Sequence, residues 1–176
     1  MIRVVAFILI CLPVAGYSLP VDSYHTKYDH HFKKSAKRYF GVGTEWRWFK
    51  AQGVAESTLR PNAKSWVGAK GVMQIMPATW GEIRRQTGIK SSVTNVKWNI
   101  AGGVYYDRQQ YKRWIKKTKS ELERFSFMFA GYNAGFGNAR KASRRCGCII
   151  WAKAARFAPN ETRGYVSKIF RLMDSS

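Results

Sequence analysis

No segment of this chain alternates apolar and polar residues convincingly at period two, which argues against a sheet-built fold. Helical spacing recurs instead. Between Tyr24 and Phe40 the apolar Tyr28, Phe32, Ala36, Tyr39 and Phe40 step by four and three, as along one helix face. Thr44 reads as the N-cap of a second helix, Glu45 to Ser57, with Glu45 in its first turn and Pro61 confining its end. The small, polar residues from Pro61 to Gly71 read as a loop, and the strand signal near Gly71 to Ile75 is weak. Pro77 suits the first position of a third helix that runs through Gln86 and stops at Gly88. A long helix is predicted from Asn99 to Lys117, and Ser120-x-x-Glu123 is a capping box opening another, to about Tyr132. Short helices follow at Asn138 to Arg145 and Ile150 to Phe157, and a last one runs from Glu161 to Met173 behind Asn160. The expected fold class is mainly α.

A length of 176 residues supports one compact domain, and 15% aromatic content argues against disorder. The formal charge of +21 says little about fold but much about partners, since such a chain is drawn to polyanions. Residues 1–16 read as a secretory signal: Arg3, then the apolar run Val4 to Leu12, then Pro13, with Ala15 and Gly16 offering a cleavage point. The run is too short for a comfortable membrane span, and a buried N-terminal helix or an uncleaved anchor is the alternative. Ile10 before Cys11 argues against a lipoprotein signal. Export, to the periplasm or the outer envelope, makes nucleic acid a poor target and favours anionic envelope polymers, with binding that weakens in salt. Cys146 and Cys148 form a C-x-C pair, read as a loop disulfide or free thiols. The three His residues all lie at the far end of the chain, so no metal site is expected.

One acid stands out. Glu56 ends an apolar helix carrying Trp46, Trp48, Phe49, Ala51, Val54 and Ala55. Partial desolvation there raises a carboxyl's pKa, as a general acid working near neutral pH requires. On position alone, a Glu pointing into water is the simpler reading.

The surrounding residues change that balance. The run ESTLRPNAKSWVGAKGVMQIMPATW from Glu56 to Trp80, then Trp98-Asn99-Ile100-Ala101-Gly102-Gly103, Gly131-Tyr132-Asn133-Ala134-Gly135 and Glu161-Thr162-Arg163-Gly164-Tyr165-Val166, fall in order along the chain. In these four blocks the chain resembles the catalytic domain of soluble lytic transglycosylases, the SLT family, which is related to goose-type lysozyme. The resemblance covers about residues 28–173 and implies a single lysozyme-like helical domain with a substrate groove, spanning residues 17–176 after the signal.

The resemblance implies a peptidoglycan lytic transglycosylase, working as a monomer on glycan strands and without metal or cofactor. Glu56 matches the catalytic acid/base. Ser65 and Gln74 match polar substrate contacts, and Met76 matches an apolar groove wall. Tyr132 matches a tyrosine that helps stabilise the reacting sugar, with Asn133 beside it, and Glu161 matches a groove carboxylate. Thr162 and Tyr165 are assigned structural roles. Three positions depart from the family pattern. Val72 replaces Leu, Asp107 falls where Leu is common, and Leu59 stands where an aromatic is common, implying an altered subsite. The other acids read mostly as solvated. A hydrolysing muramidase and a non-catalytic cationic envelope binder are the competing functions.

Overall fold

A computed structural model describes residues 19–174; the signal-like segment 1–16 lies outside them. After a 3-10 turn at Val21–Ser23 come seven α-helices: α1 (Asp29–Phe40), α2 (Arg47–Ser57), α3 (Pro77–Thr87), α4 (Val96–Lys112), α5 (Glu121–Cys146), α6 (Trp151–Ala154) and α7 (Asn160–Asp174). A second 3-10 turn, Ala155–Phe157, joins α6 to the approach to α7. Among the described residues the only β-type pairings are isolated bridges, Lys64 with Lys70 and Lys70 with Ile75. Only Ile75 falls within the weak strand signal of Gly71 to Ile75, while Lys64 and Lys70 lie in the stretch expected as a loop. The expected mainly helical class is what the chain forms.

Two helical stretches, the middle of α2 and the first half of α5, are buried all round. In α2 every residue from Phe49 to Val54 is buried, and in α5 every residue from Phe125 to Gly131. A helix without a wet face has to lie at the centre of a molecule. Packed around these two, α1 and α7 are amphipathic, burying Phe32 and Ala36 in one and Val166, Ile169 and Leu172 in the other. An aromatic cluster joins the layers: Trp48 stacks on Phe125 at 5.4 Å between ring centres and meets Phe170 at 4.8 Å. Such pairs add about 0.5–1.5 kcal/mol each beyond the area they bury.

Helix ends follow local chemistry, and four differ from expectation. The first helix starts at Asp29, later than the apolar spacing suggested. α2 starts at Arg47, and Thr44 does not cap it. Glu45 serves its N-terminus instead: Oε1 accepts from the Arg47 backbone N–H at 3.0 Å and from its guanidinium at 3.0 Å. α4 begins at Val96 because Asn95, and not Asn99, is its cap; the Asn95 side chain accepts from Trp98 N at 3.3 Å. The helix gives way to turns after Lys112, although Trp114 beyond it is fully buried. The helices expected on either side of residues 133–137 both form, and they abut within the span α5 at Gly135, whose non-helical φ of 80° and ψ of 149° kink the path between them. Ser120 caps α5 as expected, accepting from Glu123 N at 3.3 Å. The reciprocal half of the capping box is not made, because Glu123 Oε2 accepts from Trp151 N at 2.7 Å. Cys146 and Cys148 are joined by a disulfide around Gly147, which caps the far end of α5.

Not all the acids are solvated. Asp29, half of an ion pair with the buried Lys50 at 2.9 Å, is largely covered. Asp107 is fully buried in α4, held only by Gln52 Nε2, which donates to its Oδ1 at 3.2 Å; Oδ2 has no partner. Burial, opposed by the Gln52 hydrogen bond and reinforced by the charge of Glu56, pushes the Asp107 carboxyl well above its usual range. The folded protein therefore holds a proton that the unfolded chain gives up, and stability falls as pH rises above the ordinary carboxylate range. Asp107→Asn has no such proton to lose. In urea titrations it should match the parent near pH 4 and exceed it near pH 8, by on the order of 1–3 kcal/mol.

Candidate active site

The C-terminal end of α2 forms the floor. α2 closes with two consecutive left-handed residues, Thr58 at φ 55° and Leu59 at φ 60°. Thr58 N bonds to Val54 O at 2.9 Å and Leu59 N to Gly53 O at 3.3 Å, so the chain reverses tightly just past Glu56 and Ser57. This reversal tucks Leu59 into the core at 1% exposure, under Gly53. Leu59 therefore packs inside and alters no subsite, contrary to the expectation. Ser57 ties the floor to the next segment, donating from Oγ to Val72 O at 2.8 Å and accepting from Arg60 N at 3.1 Å.

The loop of residues 60–76 is one wall. It is held from behind by Asn99, fully buried on α4. The Asn99 Oδ1 accepts from Met73 N at 2.8 Å, and its Nδ2 donates to Lys70 O at 3.1 Å and to Val93 O at 2.8 Å. Gly71 has to lack a side chain here, since a Cβ would lie 2.5 Å from the Asn99 amide. The same clamp fixes Gln74 in an uncommon left-handed conformation at φ 43°, the kind of local strain that persists only where its surroundings enforce it. Gln74 Nε2 donates to Gly71 O at 2.8 Å and Ala63 O at 3.2 Å. Ser65 Oγ accepts from Ala69 N at 2.9 Å.

The opposite wall is the beginning of α7 with the middle of α5. Tyr132 Oη donates to Met73 O at 2.7 Å, spanning from α5 to the loop, and Thr162 Oγ1 donates to Asn133 Oδ1 at 2.7 Å. Between the walls runs an open cleft in two lobes. One, of about 480 Å³, is lined by Glu56, Ser65, Val67, Gln74, Met76 and residues of the far wall, including Tyr132, Asn133 and Glu161. The other, of about 640 Å³, is lined by Arg60 to Ser65 with Glu56 and Gln74. Glu56, Ser65 and Gln74 line both lobes, so Glu56 stands where they meet. All seven residues singled out from the sequence, Glu56, Ser65, Gln74, Met76, Tyr132, Asn133 and Glu161, line this cleft.

The Glu56 carboxyl is pushed up to about 7 from an ordinary 4.5. Burial is the main cause; the hydrogen bond from Tyr165 and the charge of Lys168 oppose it, and the charge of Glu161 adds to it. Tyr165 Oη donates to Glu56 Oε1 at 2.6 Å. Burial, reinforced by the negative charge of Glu56, holds the phenols of Tyr132 and Tyr165 well above their usual range, so both stay neutral hydrogen-bond donors. Lys168 Nζ donates to Ala55 O at 3.2 Å. Among the described residues no group of three His, Cys, Asp or Glu side chains is placed to hold a metal ion.

Tyr165 thus touches the central acid and is not merely structural. Lys168 was not singled out at all. Both were findable: Glu161, Tyr165 and Lys168 follow one another at four and three residues, which puts them on one face of a helix. Tyr165→Phe removes the bond that favours the Glu56 carboxylate. It should move the loss of activity at alkaline pH to higher pH, which a pH–rate profile reads directly.

The transglycosylase SLT domain matches residues 32–147 of the chain. The chain belongs to this family. A membrane-bound lytic murein transglycosylase F from Aliivibrio fischeri is 32% identical over 130 residues, covering 72% of this chain. The chain spans about a quarter of that relative's length, 24%. The SLT fold is matched in solved structures. The inactive mutant of lytic transglycosylase Slt from Pseudomonas aeruginosa superposes with a TM-score of 0.72 at 25% identity, over 85% of this chain and 24% of that one. The 70 kDa soluble lytic transglycosylase of Escherichia coli does so with a TM-score of 0.68 at 28% identity, over 85% and 24%.

Proposed function

We propose that this SLT-domain chain is a peptidoglycan lytic transglycosylase with Glu56 as its acid and base. The observation that carries the reading is a single carboxyl, held near pKa 7, at the meeting point of two cleft lobes. A glycan strand laid along both lobes puts one glycosidic bond over that carboxyl. Protonated Glu56 donates its proton to the oxygen bridging N-acetylmuramic acid and N-acetylglucosamine, and the C1–O bond breaks. The resulting carboxylate then takes the proton from the muramic 6-hydroxyl as that oxygen bonds to C1. The proton returns to Glu56, no water is consumed, and the strand ends in a 1,6-anhydro ring. Intramolecular attack gains from proximity. The Tyr132 oxygen, its proton committed to Met73 O, offers lone pairs to positive charge at C1, together with the substrate's own N-acetyl group. Ser65, Gln74, Asn133 and Glu161 would contact the sugars, with Met76 as an apolar wall. Asp107 is unsuited to a second catalytic role, being buried in α4.

Glu161, a second carboxyl lining the cleft, favours the competing reading of hydrolysis by a pair of acids. Digestion of purified cell wall separates the two, because mass spectrometry distinguishes anhydro ends from reducing ends one water heavier. Reducing ends would replace the transglycosylase with a muramidase. The signal-like residues 1–16 support export, and the charge of +21 supports attachment to anionic envelope polymers, with retention on the wall falling as salt is raised.

A further inference from the structure

Of the seven Trp residues, six are packed or half-packed, while Trp66 is 98% exposed. It is the most exposed large apolar side chain among the described residues. Leaving an indole in water forgoes a burial worth several kcal/mol for an aromatic of this size, so a lone, fully wet Trp marks a surface that something else covers.

Its position says what. The near wall passes from Lys64, lining one lobe of the cleft, through Ser65, shared by both, to Val67, lining the other. Trp66 lines neither lobe and stands at the tip of the turn between them. That turn is stiff. Gly68 N bonds to Ser65 O at 3.0 Å, Ser65 N to Ala69 O at 3.0 Å, and Ala69 N to Ser65 Oγ at 2.9 Å. Val67 at 49% and Met76 at 40% exposure extend the apolar surface from this crest down into the cleft. A rigid platform is ready to bind without first being ordered, and so loses little affinity to entropy.

We propose that Trp66 is a sugar-stacking residue: its indole face packs against the C–H face of an N-acetylated pyranose ring in the bound strand, at the crest of the wall beside Glu56. The proposal rests on the glycan-cleaving reading above. Its role is to hold the strand in the cleft, so it acts on binding and not on the chemical step.

The test compares wild type, Trp66→Ala and Trp66→Phe on soluble, peptide-free glycan strands. Ala should raise KM about tenfold with kcat within about twofold, and Phe, which keeps a ring face, should recover most of the loss. Fluorescence gives an independent arm. In Glu56→Gln protein, a chito-oligosaccharide should shield an exposed indole from iodide quenching, and the Glu56→Gln, Trp66→Phe double variant should show no such shielding. An unchanged KM in Trp66→Ala overturns the proposal. So does an unchanged KM accompanied by lost binding to vesicles of phosphatidylglycerol, which would assign the residue to a membrane surface. If wild type releases no cleaved strands, the glycan-cleaving reading fails; the fluorescence arm still decides whether Trp66 meets sugar.

Discussion

Glu56→Gln is expected to abolish glycan cleavage and to make the protein more stable. Removing a general acid or base typically costs about 10²–10⁴-fold, and the upper end is expected because one carboxyl serves both proton transfers. The gain in stability has a separate origin. Between pH 4.5 and about 7 the folded protein keeps a proton on Glu56 that the unfolded chain releases, so stability falls as pH rises through that window. Gln loses nothing there. At about 1.4 kcal/mol per tenfold change in proton affinity, the variant should gain up to about 3 kcal/mol at pH 8 and almost nothing at pH 4. Thermal melts of both proteins at the two pH values, beside wall-digestion assays, check both halves. Undiminished lysis by the variant would remove Glu56 from the mechanism, and equal melting at pH 8 would mean that the carboxyl is not held in a desolvating site.

Asn99→Ala should be the most damaging substitution outside the cleft. It leaves the Met73 N–H and the Lys70 and Val93 carbonyls without their partner in the interior. At about 1–3 kcal/mol for each orphaned group, the loss is at least about 3 kcal/mol, or roughly 6–12 °C in melting temperature for a chain of this size. Activity should fall beyond what unfolding explains, because the same clamp holds the Gly71–Gln74 segment against the floor. Asn99→Asp keeps the acceptor for Met73 N but faces two carbonyl oxygens with a carboxyl, and should not rescue the protein. Activity measured well below the melting temperature separates a loosened wall from a smaller folded population. Wild-type melting in Asn99→Ala would refute the clamp.

Much of this was legible in the chain. Pro77, Gly88 and Ser120 announce their helix ends because their effects are local, a fixed φ, a left-handed C-cap and an N-cap oxygen. The acid Glu56 and its cleft companions were found through motif spacing. What stayed hidden depends on partners distant in sequence. Asn95 and Asn99 are the same residue type four apart, and only packing decides that the first caps the helix while the second is buried to hold a loop. Asp107, in a stretch of Tyr, Gln and Arg, gives no local sign of burial. Helical spacing puts Tyr165 on the face of Glu161, but nothing in it announces the bond to Glu56, 109 positions away.

That last bond has a consequence for how the acid is tuned. Glu56 lies early in the chain, while the phenol that contacts it and the ammonium that tempers its proton affinity arrive on the final described helix, 15 residues long. A chain without α7 lacks both of these groups, together with the buried Val166, Ile169 and Leu172 that α7 packs against α2 and α5. A carboxyl balanced near pKa 7 thus depends on α7 lying against α2, the helix that carries it.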